Sequence, residues 1–320
     1  MKKILVTGAL GQIGTELSLA LRKKYGNENV IVTDVRKECN AALAGTGPFH
    51  SLDVSNRDEL VKLIKEYNID TIFHLAAILS ATGEKDPLLC WNINMNGSIN
   101  ILEAARLNGV KKVIIPSSMA VWGPDAPQFN TPQDSVLKPT TMYGVTKVCG
   151  ERLCDYYVQK YGLDCRGLRY PGIISSETLP GGGTTDYAVE IFYEAVKNKK
   201  YDCFLKEDAI LPMMYMPDCI NATIGLAEAD FAKLKHHSDF NVAAFSFSPK
   251  ELAENIKKYM PEFKITYSPD FRQEIADSWP KTIDDSAARS EWNWKPLFDM
   301  DSMTKDMLEK LSEKHKAGKI

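Results

Sequence analysis

Short apolar runs alternate along the chain with longer stretches in which apolar residues recur every three or four positions. KILVTG (3–8), NVIVTD (29–34), PFHSLDV (48–54), TIFHLAA (71–77), KKVIIPSS (111–118) and LDCRGLRY (163–170) read as strands, with helical patterns near 12–25, 56–67, 87–108 and 141–161 between them. Nearly continuous apolar strands separated by helices of this length predict a doubly wound α/β domain, a parallel sheet covered on both faces with right-handed crossovers.

After residue 175 the rhythm changes. A glycine-rich loop, SSETLPGGGTTD, leads into an amphipathic helix over 187–200, and LPMMYMPDCINATIGLAEAD reads as a short strand, a turn at Pro217 and a helix. FNVAAFSFS (240–248) predicts one more buried strand, with Ser248 as N-cap and Glu251 three positions on opening the next helix. The expected division is a dinucleotide-binding Rossmann domain over 1–175 and a smaller substrate-binding lobe over 176–320, with segments of about 205–248 returning to the main sheet.

Bulk properties narrow the classes of partner. With 320 residues, 44% hydrophobic, 25% charged and a net charge of −3, the chain has no electrostatic reason to seek nucleic acid or an anionic membrane. No apolar run reaches bilayer-spanning length, and the start of the chain lacks a signal-peptide core. Seven scattered cysteines, never spaced C-x-x-C, fit reduced thiols in a cytoplasmic protein, and no metal site is expected.

The turn Gly8-Ala9-Leu10-Gly11-Gln12-Ile13-Gly14 joins the first strand to the first helix. Residues without a Cβ let backbone approach a pyrophosphate, and the helix N-terminus offers N–H donors and partial positive charge. Asp34, 20 residues beyond Gly14, is placed to accept hydrogen bonds from the adenosine ribose and to repel a 2′-phosphate, which points to NAD, although Arg36 nearby weakens that preference. Asp53 reads equally as an adenine contact or as part of a helix-entry loop.

PTTMYGVTKVCGE (139–151) sets Tyr143 one helical turn ahead of Lys147, on the same face. TGALGQIG, DVS at 53–55, HLAA at 74–77, PSS at 116–118, YGVTK at 143–147 and RYPGI at 169–173 run in order, and the chain resembles an extended short-chain dehydrogenase/reductase over its first 175 residues. ILSATGEKDP, TMYGVTK, GTTDYAVEIF and LPMMYMPD extend the resemblance over nearly the whole chain to the short-chain-type, epimerase-like L-threonine 3-dehydrogenases.

The resemblance implies NAD-dependent oxidation of the C3 hydroxyl of L-threonine to 2-amino-3-oxobutanoate. Tyr143 would be the general base, its phenol drawn down by Lys147 and by the nicotinamide cation. Ser118 would bond the substrate oxygen, with Ser117 as the neighbour it is confused with. Val54, Leu75, Ala76, Ala77, Asn94 and Tyr170 would join the glycine turn, Tyr143 and Lys147 around the cofactor. For the substrate it implies Ser80, Gly183, Thr184, Thr185 and Trp279, beside Ser118 and Tyr143. On residue type alone Thr184, Thr185 and Asp186 also read as caps of the following helix, Ser80 as a loop serine and Trp279 as packing. Asp186 is compatible with a substrate ammonium or with the helix dipole. Enzymes of this class often pair through the helices near 87–108 and 141–161, so a homodimer is expected.

Two other functions share these motifs. A nucleotide-sugar epimerase or dehydratase has the same glycine turn and Ser/Tyr/Lys set but must hold a diphosphate, and no arginine occurs between Arg169 and Arg272. A non-catalytic NAD-binding regulator would have been favoured by loss of the tyrosine or lysine, and both are present.

Overall fold

The computed structural model describes residues 1–179 and 181–320. The first elements are β1 (Ile4–Thr7), α1 (Gln12–Tyr25), β2 (Val30–Asp34), β3 (Phe49–Ser51), α2 (Arg57–Tyr67) and β4 (Thr71–His74). They are followed by α3 (Ser80–Lys85), α4 (Pro87–Trp91), α5 (Gly97–Leu107), β5 (Lys112–Ile114), β6 (Ser117–Ser118), α6 (Met142–Tyr161), β7 (Asp164–Arg166), β8 (Leu168–Tyr170) and β9 (Gly172–Ile174).

Six strands form one parallel sheet in the order β3-β2-β1-β4-β5-β7. The chain winds outward from β1 in one direction, then restarts at β4 in the other. The crevice beyond the carboxyl ends of β1 and β4 is therefore the place where such a sheet receives ligands. Both faces are covered. Ile4, Val6, Val30 and Val32 pack with Leu17 and Leu21 of α1, while Leu5, Ile31, Ile72 and Val113 pack with Leu60, Ile101 and Leu102 of α2 and α5. Neighbouring residues of one strand thus enter opposite layers, which is why these strands are apolar throughout.

The rest of the chain comprises α7 (Tyr187–Asn198), β10 (Lys200–Cys203), β11 (Leu211–Tyr215), α8 (Met216–Glu228), β12 (Phe240–Asn241), β13 (Phe245–Phe247), α9 (Pro249–Tyr259), β14 (Lys264–Tyr267), α10 (Arg272–Asp277), α11 (Ser286–Trp292) and α12 (Met300–Lys316). β12 lies beside β8, whose other neighbour is β6; β11 pairs with β9 and, antiparallel, with β13. A third apolar cluster unites α7, α9 and α12 through Ile191, Phe192, Leu252, Ile256, Met307 and Leu311.

Several predicted segments are interrupted. The run 111–118 divides at Pro116, which has no N–H for the ladder. The run 163–170 divides at Gly167, where a Cβ would lie 2.4 Å from the Ser238 carbonyl oxygen and 2.6 Å from that of Ile115. The helix expected over 87–108 contains a wider turn at Asn92–Asn96 between α4 and α5. Pro217 makes no turn but sits in the first turn of α8, where a missing N–H costs nothing. The expected strand over 240–248 is two strands in different sheets, β12 and β13, and the helix over 187–200 ends at Asn198. The capping box at Ser248 and Glu251 forms as expected. The glycine-rich loop includes Pro180, which lies outside the described residues.

Candidate active site

Gly8 closes β1 with φ +67°, and a Cβ on it would come within 2.5 Å of the Ala76 nitrogen. A Cβ on Gly14 would meet the Gly8 carbonyl oxygen at 2.2 Å, so α1 is pressed directly onto the turn. Gly11 is the N-cap of α1 and supplies no side-chain cap, leaving the first-turn donors to another acceptor. The Gln12 side-chain nitrogen is buried and has no hydrogen-bond partner among the described residues. A cradle that only glycine permits, a helix start without its own cap and an orphaned donor fit an anionic dinucleotide.

At the end of β2, the Asp34 carboxylate accepts the Leu10 N–H at 3.0 Å and the Arg36 Nε–H at 2.9 Å. Burial pushes this carboxyl up, but the hydrogen bonds from Arg36 and Leu10 outweigh it and hold Asp34 below its usual range. Arg36 is thus engaged by Asp34 although its side chain stays half exposed.

The helix that carries Tyr143 and Lys147 is fixed at its start. The Thr141 hydroxyl accepts the Gly144 N–H at 3.0 Å, and Glu84 accepts the Met142 N–H at 2.8 Å. A Cβ on Gly144 would lie 2.2 Å from the Ala120 carbonyl oxygen, so glycine lets α6 sit against the segment after β6. Ser118 is the serine whose hydroxyl lies toward Tyr143, where it favours the phenolate. Ser117 points the other way and donates to Glu151 at 2.6 Å, and Glu151 in turn accepts from the buried Arg169 at 2.8 Å.

Electrostatically the site departs from expectation. Burial raises the Tyr143 phenol to about 12, and the Ser118 hydroxyl opposes the rise. The Lys147 ammonium donates to the Pro116 carbonyl at 2.7 Å, and burial pulls it down to about 8. The phenol drawn down by Lys147 is therefore corrected: withdrawal from water outweighs the chain's own stabilising contacts. His74 is likewise neutral, its pKa lowered to about 3 by burial and by Lys147, with its Nδ1 bonded to the Thr7 hydroxyl at 2.7 Å.

Tyr143, Lys147, Ser118 and the glycine turn line one cleft of about 220 Å³. Leu75, Ala77, Tyr170, Ser80, Gly183, Thr184, Thr185 and Trp279 line it too. The Ser80 and Thr184 hydroxyls meet at 3.2 Å, linking α3 to the glycine-rich loop across 104 positions of sequence. Asp186 does not cap α7 with its side chain. Its carboxylate turns back to the Gly182 and Gly183 N–H groups at 3.0 and 2.7 Å, and burial raises it to about 6.

Other predicted residues lie outside this cleft. Asp53 is exposed and accepts the Ser55 N–H at 2.9 Å, the loop geometry of its second reading. Val54 packs beneath Gly97. Ala76 and Asn94 line a cavity of about 20 Å³ behind Lys147, and the Asn94 amide bonds Ile78 and Thr146 across the wider helical turn.

Sequence reasoning missed Glu151 and the Pro116 carbonyl. Glu151 was legible as a carboxylate four positions after Lys147 on one helix face. A backbone oxygen carries no such signal. Among the described residues all seven cysteines are free, no group of three or more His, Cys, Asp or Glu is placed to hold a metal ion, and no helix is long and apolar enough to cross a membrane.

Residues 4–243 match the model of the NAD dependent epimerase/dehydratase family. The chain is 48% identical over 318 residues to an uncharacterized epimerase/dehydratase of Staphylococcus saprophyticus, covering 99% of each chain. It superposes on the L-threonine dehydrogenase of Clostridium difficile with a TM-score of 0.96 and 54% identity, covering 98% of both chains. A monomeric L-threonine 3-dehydrogenase from a metagenome matches with a TM-score of 0.94 and 47% identity, over 97% of this chain and 99% of that one.

Proposed function

Because this chain belongs to the NAD dependent epimerase/dehydratase family, within the extended short-chain dehydrogenases/reductases, we propose that it oxidises the C3 hydroxyl of L-threonine to 2-amino-3-oxobutanoate with NAD. The observation that carries this reading is a single cleft lined by Ser118, Tyr143 and Lys147 together with the paired Ser80 and Thr184 hydroxyls. The similarity to solved L-threonine dehydrogenases over almost the full length supports it. In this reading residues 1–175 hold the cofactor and 176–320 chiefly the substrate.

Gly8, Gly11, Gln12 and Gly14 would hold the pyrophosphate, and Asp34 the ribose hydroxyls. The oxidised dinucleotide, when bound, supplies the hydride acceptor and one positive charge. Tyr143 takes the proton of the substrate hydroxyl while Ser118 donates a hydrogen bond to the same oxygen. With the phenol at about 12, Tyr143 is protonated near neutrality, so its action as a base depends on added positive charge nearby. Lys147, one turn along α6 from Tyr143, is held by its hydrogen bond to the Pro116 carbonyl.

A nucleotide-sugar substrate finds less support. Arg169 is committed to Glu151, and Arg272 to Asp270 and the ring of Phe204, so neither presents a free fork for a diphosphate. The exposed Leu88, Trp91, Ile99, Val145 and Tyr156 on α4, α5 and α6 support pairing of two copies through these helices.

The test is purified protein with NAD and a panel of L-threonine, D-threonine, L-serine and UDP-galactose. NADH absorbance is expected to rise with L-threonine alone. Interconversion of the nucleotide sugar, with no NADH from threonine, would replace this reading by the epimerase one.

A further inference from the structure

Trp279, only 4% exposed, is common to two clefts. One is the active-site cleft. The other, of about 440 Å³, gathers three segments distant in sequence: Pro124 and Gln128, Lys206 to Ile210, and Ala276 to Lys281. Its lining carries two cations, Lys206 and Lys281, and two carboxylates, Asp208 and Asp277, over the apolar Ala209 and Ile210. Lys206 faces Asp277 at 3.6 Å, while the Lys281 ammonium stands 5.3 Å from the centroid of the Phe129 ring. The walls are tied together, since the Lys281 N–H donates to the Gln128 carbonyl at 2.7 Å and the Lys206 N–H to the Gln273 side chain at 2.7 Å.

We propose that this outer cleft captures the amino-acid substrate and that the indole of Trp279 is the gate through which it passes to Tyr143. The inference rests on the amino-acid dehydrogenase reading above. A small zwitterion needs one cation for its carboxylate, one carboxylate for its ammonium and a modest apolar surface between. Beyond the Lys206–Asp277 pair, the lining of the outer cleft holds Lys281, Asp208, Ala209 and Ile210. A dinucleotide held along the glycine turn would occupy that part of the active cleft, and Trp279 is the residue that both linings share. Trp279 follows the short helix α10 and precedes Pro280, its backbone anchored by N–H bonds from Ser278 to the Ile275 carbonyl and from Trp279 to the Ala276 carbonyl. Its backbone is therefore held by a local turn, and passage requires the indole, which packs in the apolar cluster that includes Ile275 and Ala276, to change rotamer.

The experiment compares full-length wild type with Ala209→Trp, which plugs the outer cleft, and with Lys281→Gln combined with Asp208→Asn, which removes one charge of each sign. Under saturating NAD, kcat/KM for L-threonine is expected to fall about tenfold in both, with kcat and the KM for NAD within about twofold of wild type. Unchanged kcat/KM in either variant, with the fold verified by circular dichroism, overturns the proposal, as does an equal loss of NAD affinity. The charge-neutralising pair lies on the surface and decides the matter should the plugged variant misfold. A wild type that does not oxidise threonine at all overturns the functional reading instead.

Discussion

The Lys147 ammonium donates to the Pro116 carbonyl oxygen at 2.7 Å and stands 5.5 Å from the centroid of the Tyr143 ring. It is thus a buried cation tied to the backbone behind the phenol, not an ion pair with it. Substituting Tyr143→Phe is expected to keep the fold and NAD affinity and to lower kcat by about 10²–10⁴-fold, the usual contribution of a positioned acid–base group. Steady-state kinetics with NAD binding followed by fluorescence checks it, and near-normal turnover would remove Tyr143 from the base role.

Asp34 and Arg36 predict cofactor choice. The carboxylate that repels a 2′-phosphate also restrains the guanidinium that would attract one. Asp34→Ser removes the repulsion and releases Arg36 together. The ratio of kcat/KM for NADP to that for NAD is expected to rise at least about tenfold, or about 1.4 kcal/mol in relative transition-state stabilisation. A ratio unchanged from wild type argues that this pair does not read the ribose.

Glu16, on α1, accepts the hydroxyl of Ser175 where the chain leaves β9. Burial raises its carboxyl from 4.5 to about 7; Ser175, Lys310 and Lys314 oppose the rise and Glu177 adds to it. A carboxyl with a higher pKa in the folded state takes up a proton on folding, so its stabilising contribution is complete below 4.5 and is lost as pH rises to about 7. Glu16→Gln keeps a neutral acceptor for Ser175. Its Tm is expected to exceed that of wild type by about 2–4 °C at pH 8, with the difference shrinking toward pH 5. Thermal melts giving the same difference at both pH values would refute the assignment.

The apolar residues exposed on α4, α5 and α6 predict a dimer. Trp91→Arg is expected to convert it to monomer, read by light scattering after size exclusion, with little change in circular dichroism. A wild type already monomeric at assay concentration, as one related L-threonine 3-dehydrogenase is described, would dismiss the interface.

The sequence by itself determined the layers and the chemistry carried by fixed spacing. Runs such as Ile4–Val6 and Val30–Val32 could be stable only between two helical layers, because every side chain along them is apolar. The glycines at 8, 11 and 14 and the four-residue step from Tyr143 to Lys147 depend on backbone geometry that a few neighbouring residues set alone.

Tertiary structure decided what depends on approach between distant segments. It turned Ser118 rather than Ser117 toward Tyr143, joined Ser80 to Thr184, broke a strand at Gly167 where distant backbone presses in, and set Trp279 in the lining of two clefts. The sign of the Tyr143 shift belongs with these. Spacing reveals which charges are near in the chain, but the balance between their attraction and the loss of water follows from how completely the whole fold encloses the group.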